Sequence, residues 1–240
     1  MDRGLYIAAA GMLAELTRQD QIANDLANAS TPGYKGDTSA QASFGSLMLS
    51  NRSTGQVIGP LAEGVGIVGK TTDLTPAALK QTGEPLDVAL DGAGFLAVQT
   101  PAGKRYTRDG QLVVDAQGRL ATATGFLVLD DKGQPFKVGT STALVIAPDG
   151  SVTSGGKPVA RLGVVSLSNP VKQGDTLFDG TAGPRPAATN VVQGSLEGSG
   201  VNPITAMVDM LTSLRAFEAG QKAIQTIDET LQKGIAAGGI

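Results

Sequence analysis

Leu5, Ala9, Met12, Leu16, Gln19, Ala23 and Leu26 follow one another at gaps of four and three residues. That spacing is the seam of an amphipathic helix, with Gln19 as its one polar member. The helix is expected to stop near Asn28, because Pro32 disfavours helical geometry at Thr31 and Gly33 frees the chain to turn. The other end mirrors this with Ile204, Met207, Leu211, Leu214, Phe217, Gln221, Ile224, Ile227 and Leu231, spaced by threes and fours. Asn202 is placed as its N-cap and Pro203 as its first helical residue, and the tail GIAAGGI is expected to fray.

Between the helices the pattern changes. Residues 36–83 lack strong periodicity and read as an extended linker or loop segment with short strands. From 84 to 194 the chain is β-rich, with short apolar runs such as GFLAVQT, RLATATGFLVLD and RLGVVSL. Ala102-Gly103, Gln117-Gly118, Lys132-Gly133 and Asp149-Gly150 supply the turns. The predicted fold class is α+β, with N- and C-terminal amphipathic, coiled-coil-forming helices flanking a mainly antiparallel β body. The domains are 1–35 with 195–240 as a discontinuous terminal-helix domain, 36–83 as linker, and 84–194 as the body. A lone helix is marginal in water, and each large apolar side chain gains about 1.5–3 kcal/mol on full burial. Each stripe therefore needs a partner, either the other helix or copies on neighbouring subunits. Stripes at both extremes of the chain favour the second, at least in part.

Composition narrows the chemistry. The 240 residues contain no cysteine and no histidine, which removes thiolate and imidazole nucleophiles, bases and metal ligands. A net charge of −3 with both signs scattered advertises no nucleic acid and no acidic membrane surface. No apolar run is long enough to insert in a membrane. The opening MDRGLYIAAAGMLAEL has signal-peptide features, but its apolar register continues to Leu26, which a cleaved signal would not do.

Candidate sites dissolve on inspection. DGAGF, 91–95, lacks the further glycine and following helix of a dinucleotide loop. Asp130 and Asp131 beside Lys132-Gly133 read as a hairpin turn rather than a calcium loop. Tyr106, Arg108 and Asp109 flank a turn, where a cross-strand pair is the ordinary account. Asn28 and Asn51 begin chance glycosylation sequons. No catalytic, cofactor-binding or metal-binding set is assigned, no cofactor is expected, and no small-molecule substrate is implied.

Three ordered segments resemble the bacterial flagellar rod and hook proteins. NDLANASTPGYK, residues 24–35, is similar to that family's N-terminal signature, with Asp25 in place of an asparagine. Residues 83–120 resemble its β body. Residues 194–233 resemble its C-terminal helix, whose lead-in here reads Glu197-Gly-Ser-Gly-Val-Asn. The resemblance implies a structural rod subunit, not an enzyme. Its terminal helices would pack as coiled coils in the inner wall of a tubular drive shaft, with the body outside. Asn24, Leu26, Asn28, Thr31, Pro32, Gly33 and Tyr34 would form the hinge between them, Tyr34 anchoring it, while the body keeps its own stability. The implied partners are the same protein, neighbouring axial subunits and the flagellar export apparatus. The implied location is the periplasm-spanning rod of the basal body, reached without a cleaved signal. The short length and the PLDVAL wording are most like the proximal-rod branch, with the distal rod next. Hook proteins usually carry a larger inserted domain. The competing readings are a cell-envelope enzyme or glycan-binding module working through the β body, and a coiled-coil homodimer with a β insert. The first would show exposed aromatics or clustered carboxylates.

Overall fold

The computed structural model describes residues 2–43, 46–50, 57–62, 64–139 and 144–238. The Asn51 sequon lies outside them. The chain divides into two compact units, one of Met1–Ala27, Asp37–Thr72 and Asn202–Ile240, the other of Asn28–Gly36 and Asp73–Val201. Mainly antiparallel β structure thus lies between an N-terminal and a C-terminal helix. Among the described residues, no helix is long and apolar enough to cross a membrane.

In the first unit, α1 (Asp2–Ala27) and α2 (Pro203–Gly238) pack against each other. Asn202 caps α2 as its sequence position predicts, its Oδ1 accepting from the Ile204 N–H at 2.9 Å. The helix then runs on to Gly238, through most of the tail expected to fray. The pair is antiparallel. Gly4 lies against Ile227, Met12 against Gly220, and the Ser213 hydroxyl donates to the Glu15 carboxylate at 2.6 Å. Small residues allow this approach: a Cβ on Gly220 would stand 2.7 Å from Met12 Cγ.

The face of α2 that is buried or half-buried includes Ala206, Met210, Ser213, Phe217, Gly220, Ile224, Ile227 and Leu231. Only the later members of the predicted stripe belong to it. Ile204, Met207, Leu211 and Leu214 are exposed. The predicted line moves by threes more often than by fours. At about 100° per residue it falls roughly 20° behind per step on average and winds half-way round the helix by Leu231. On α1, Ala14 and Ile22 are the buried apolar residues, Met12 and Leu26 are half-buried, and Leu5, Ala9, Leu16 and Ala23 are exposed.

The segment 36–83 contains paired strands. Asp37–Ser43 pairs antiparallel with Val65–Thr72, and Ser46–Ser50 with Val57–Ala62. The buried Asp37 carboxylate holds the base of the first pairing, accepting from Thr72 Oγ1 at 2.6 Å and meeting Lys70 Nζ at 2.8 Å.

The second unit is built on a seven-stranded antiparallel sheet. Four of its strands close a ring: Phe95–Thr100 pairs with Gly103–Thr107, which pairs with Leu177–Gly183, which pairs with Val164–Lys172, which returns to Phe95–Thr100. Each contributes to one apolar cluster, with Phe95, Ala97, Tyr106 and Phe178 buried and Val165 and Leu167 packed against them. The alternate residues Leu96 and Val98 join a larger core with Val88, Leu120, Val152 and Leu162. Burial on both faces is why FLAVQT reads as an apolar run rather than an alternation. The four predicted turn glycines, Gly103, Gly118, Gly133 and Gly150, all adopt positive φ. At the third of these turns Asp130 Oδ1 accepts from the Lys132 and Gln134 N–H groups, as a turn residue does.

The Gly220–Met12 approach yields the first prediction. Gly220→Leu should wedge the helices apart and cost about 1–3 kcal/mol. Amide exchange should quicken along α1 and α2 while that of the β unit stays unchanged.

Candidate functional site

The functional side chains come together where α1 has just ended. After Ala27 the chain turns, with the Thr31 N–H donating to the Asn28 carbonyl at 3.1 Å and Thr31 Oγ1 to Asn28 Oδ1 at 3.0 Å. Gly33 follows with φ of 66° and donates its N–H to the Glu197 carbonyl at 2.9 Å. A Cβ there would lie 2.3 Å from the carbonyl carbon of Arg108. Gly33 is therefore required twice, by its conformation and by the backbone it touches.

Tyr34 is fully buried, and the Lys172 ammonium stands 3.8 Å from its ring centroid. The same ammonium donates to the Lys35 carbonyl at 2.7 Å. The Gly200 N–H donates to the Tyr34 carbonyl at 2.9 Å, drawing the lead-in of α2 to this segment.

Beside Tyr34 lies an ion triad. Glu197 Oε1 accepts from Lys35 Nζ at 2.6 Å and from the Ala77 N–H at 2.9 Å, and Oε2 accepts from Arg108 Nη1 at 3.0 Å. The Lys35 and Glu197 side chains are 0% exposed and that of Arg108 is 2%. Two cations against one carboxylate leave one positive charge in excess. Backbone carbonyls share it, with Thr75 accepting from Lys35 at 2.6 Å and Gly92 from Arg108 at 2.9 Å. The Arg108 guanidinium also lies 5.2 Å from the Phe95 ring centroid. A set so closed to solvent holds backbone segments in place; it has no open face for a substrate.

Next to it, Asp109 and Asp87 are both buried. Burial pushes the Asp109 carboxyl above the usual carboxylate range, the Gln111 N–H opposes this, and the charge of Asp87 adds to it.

The sequence suggests an ordinary cross-strand pair for Arg108. Its partner is instead Glu197, 89 positions away. Nothing in the local sequence marks Lys35 or Glu197 as buried, although both stand inside segments that carry the family resemblance. The expected hinge divides between the units: Asn24 and Leu26 lie on α1 in the first, Asn28, Thr31, Pro32, Gly33 and Tyr34 in the second. Nor is Gly33 dispensable to the β body, since its place is against the backbone of Arg108.

Comparison with known proteins follows the same three segments. Residues 5–35 match the family described as flagella basal body rod protein. Residues 89–154 match the flagellar hook protein FlgE/F/G D1 domain, and residues 192–237 the flagellar basal body rod FlgEFG protein C-terminal family. Flagellar basal-body rod protein FlgF of Escherichia coli is 35% identical over 251 residues, covering 95% of each chain. The chain belongs to the flagellar basal-body rod protein family. FlgF of Caulobacter vibrioides is 30% identical over 98% of this chain and 97% of its own. The rod protein FlgG of Bacillus subtilis is 30% identical over 97% of this chain and 98% of its own. In this rod-family chain each matched segment supplies one member of the triad: Lys35 closes the first, Arg108 lies in the second and Glu197 in the third.

Glu197→Gln should leave two buried cations without a counter-charge and cost about 3–5 kcal/mol in chemical denaturation. Lys35→Met, which leaves Glu197 and Arg108 balanced, should cost distinctly less. A separate test concerns Asp109. Its raised carboxyl is protonated at no penalty in acid, and the penalty grows as pH rises through and above the carboxylate range. Asp109→Asn should therefore melt higher than the parent at neutral pH, with the difference closing as the pH falls below that range.

Proposed function

We propose that this chain is a structural subunit of the flagellar basal-body rod, at its proximal end. The subunit performs no turnover. It polymerises through its terminal helices, which form the inner wall as coiled coils, while the β unit makes the outer body. The drive shaft so built transmits torque across the periplasm. The observation that carries this reading is the second apolar face on each helix, left exposed after the helices have paired, in a chain that resembles rod proteins over nearly its whole length. Proximal placement is supported by relatives named FlgF at 28–35% identity over nearly the whole chain. Relatives named FlgG reach 30–33% over similar lengths, which supports a distal-rod reading as the alternative. Export through the flagellar secretion channel without a cleaved signal accords with an N-terminal segment that is built into α1.

An enzymatic or glycan-binding role for the β unit finds less support. The ion triad of Lys35, Arg108 and Glu197 is sealed from solvent.

The test separates export from assembly. Leu211→Asp would place a charge in the exposed stripe, at a cost of several kcal/mol wherever that stripe is buried and the charge unpaired. The variant should be exported at parental levels, be absent from isolated basal bodies and abolish swimming in soft agar. Normal swimming would overturn the assembly role of the stripe. Cross-links from the parent protein to its axial neighbours in basal bodies decide between proximal and distal positions.

A further inference from the structure

Each terminal helix carries an apolar surface that the helix pair does not use. On α2 it is a ridge of Ile204, Met207, Val208, Leu211 and Leu214, with Ile204 73% and Leu211 56% exposed. At about 100° per residue the ridge lies roughly 140° round the helix from Ala206, Ser213 and Phe217, which face inward. Beyond Leu214 the same face turns polar through Glu218, Lys222 and Gln225. The ridge is therefore limited to 204–214, about 15 Å of helix at 1.5 Å per residue.

On α1 the unused surface is a groove. Tyr6, Ala10 and Leu13 lie about half a turn from Gly4, Met12 and Glu15, the residues that meet α2. With Ile67 on the strand Val65–Thr72 they bound an open cleft of about 530 Å³. Its floor is made of small residues, Ala10, Ala14 and Gly66, and its rim of the exposed Tyr6 and Leu13. It runs from Tyr6 to Thr17, about 17 Å of helix. Past Thr17 that face also becomes polar, with Asp20 and Asn24.

We infer that the ridge of one copy seats in the groove of the next. This deepens the rod reading and rests on it. The two surfaces match in length, and large side chains on one meet small ones on the other. Burying both removes on the order of 1,000 Å² over the two copies, the lower bound for a specific interface and little for a lasting isolated dimer. Ridge and groove are different surfaces of the same chain, so the contact is heterologous. One copy offers its ridge to a second and its groove to a third, and the association extends instead of closing on a two-fold axis. A monomer gains little from one such contact, whereas an interior copy of an array gains two.

The chain contains no cysteine, so introduced thiols report cleanly. Full-length Leu211→Cys and Leu13→Cys proteins, each checked for parental helix content, are mixed under mild oxidation at concentrations raised until light scattering detects association. Disulfide between the two variants should form several-fold more than self-disulfide in either alone. It should also exceed, several-fold, disulfide between Leu13→Cys and Val145→Cys, an exposed control on the β unit. Preferential self-disulfide of either variant would overturn the inference in favour of a two-fold interface. Yields equal to the control, or no association at any concentration, would also overturn it. If the mixed disulfide is absent while Leu211→Asp still fails to enter basal bodies, the rod reading stands and the ridge belongs to a different axial subunit. If that variant swims normally as well, both fall.

Discussion

The ion triad of Lys35, Glu197 and Arg108 is the interaction on which the arrangement of the β unit depends. Its three members come from segments far apart in the chain, and none can be buried alone at acceptable cost. Glu197 has two carboxylate oxygens, and each is committed to a different cation. A slip of one residue in the Glu197 segment would bury two cations without a counter-charge, and a slip in either of the others would break one of its two ion pairs. The triad thus sets register as well as proximity. Gly33 and Tyr34 follow from it: with Lys35 fixed, the residues just before it must pass over the Arg108 backbone, which allows no Cβ at Gly33, and Tyr34 fills the space beneath Lys172.

The same constraint explains where the chain leaves the β unit. It passes between the units after residues 27, 36, 72 and 201. Lys35 stands directly before Gly36, and the Thr75 carbonyl that accepts its hydrogen bond stands just after Asp73. Glu197 lies shortly before Asn202. Three of the four crossings are thereby tied, within a few residues, to one buried cluster, and the turn from Asn28 to Gly33 leads into it from the fourth. Strand pairing continues the job on either side, with Ser195–Glu197 against Leu79–Gln81 and Asn190–Gln193 against Val88–Asp91.

Much of this was legible in the sequence, and the parts that were not share a cause. Helix ends are local events, so Pro32, Gly33 and Asn202 mark them in the text of the chain. So do the turn glycines, whose φ is a matter of one residue. The phase of α2 is not legible in the sequence because the helix carries two apolar faces, and a line drawn through the largest side chains crosses from one to the other. The small residues Ala206, Ser213 and Gly220, which make the close approach to α1, give no hydrophobic signal at all. The pairing of the strands within 36–83 was hidden by their weak alternation. The triad was beyond local reading: Lys35 and Glu197 are 162 positions apart, and a lysine or a glutamate in a polar stretch is ordinarily solvated.

The antiparallel helix pair imposes an order in time. Gly4 meets Ile227, so the first helix to be synthesised contacts nearly the last residues of the chain, about 220 positions later. At translation rates of roughly 5–20 residues per second, α1 waits some 10–45 s with its apolar surface unmatched. During that interval the β unit can close its ring, since those strands are complete by Gly183. The nascent helix has no such recourse. The helix pair is thus the last part of the molecule that can form, after every described strand has been made.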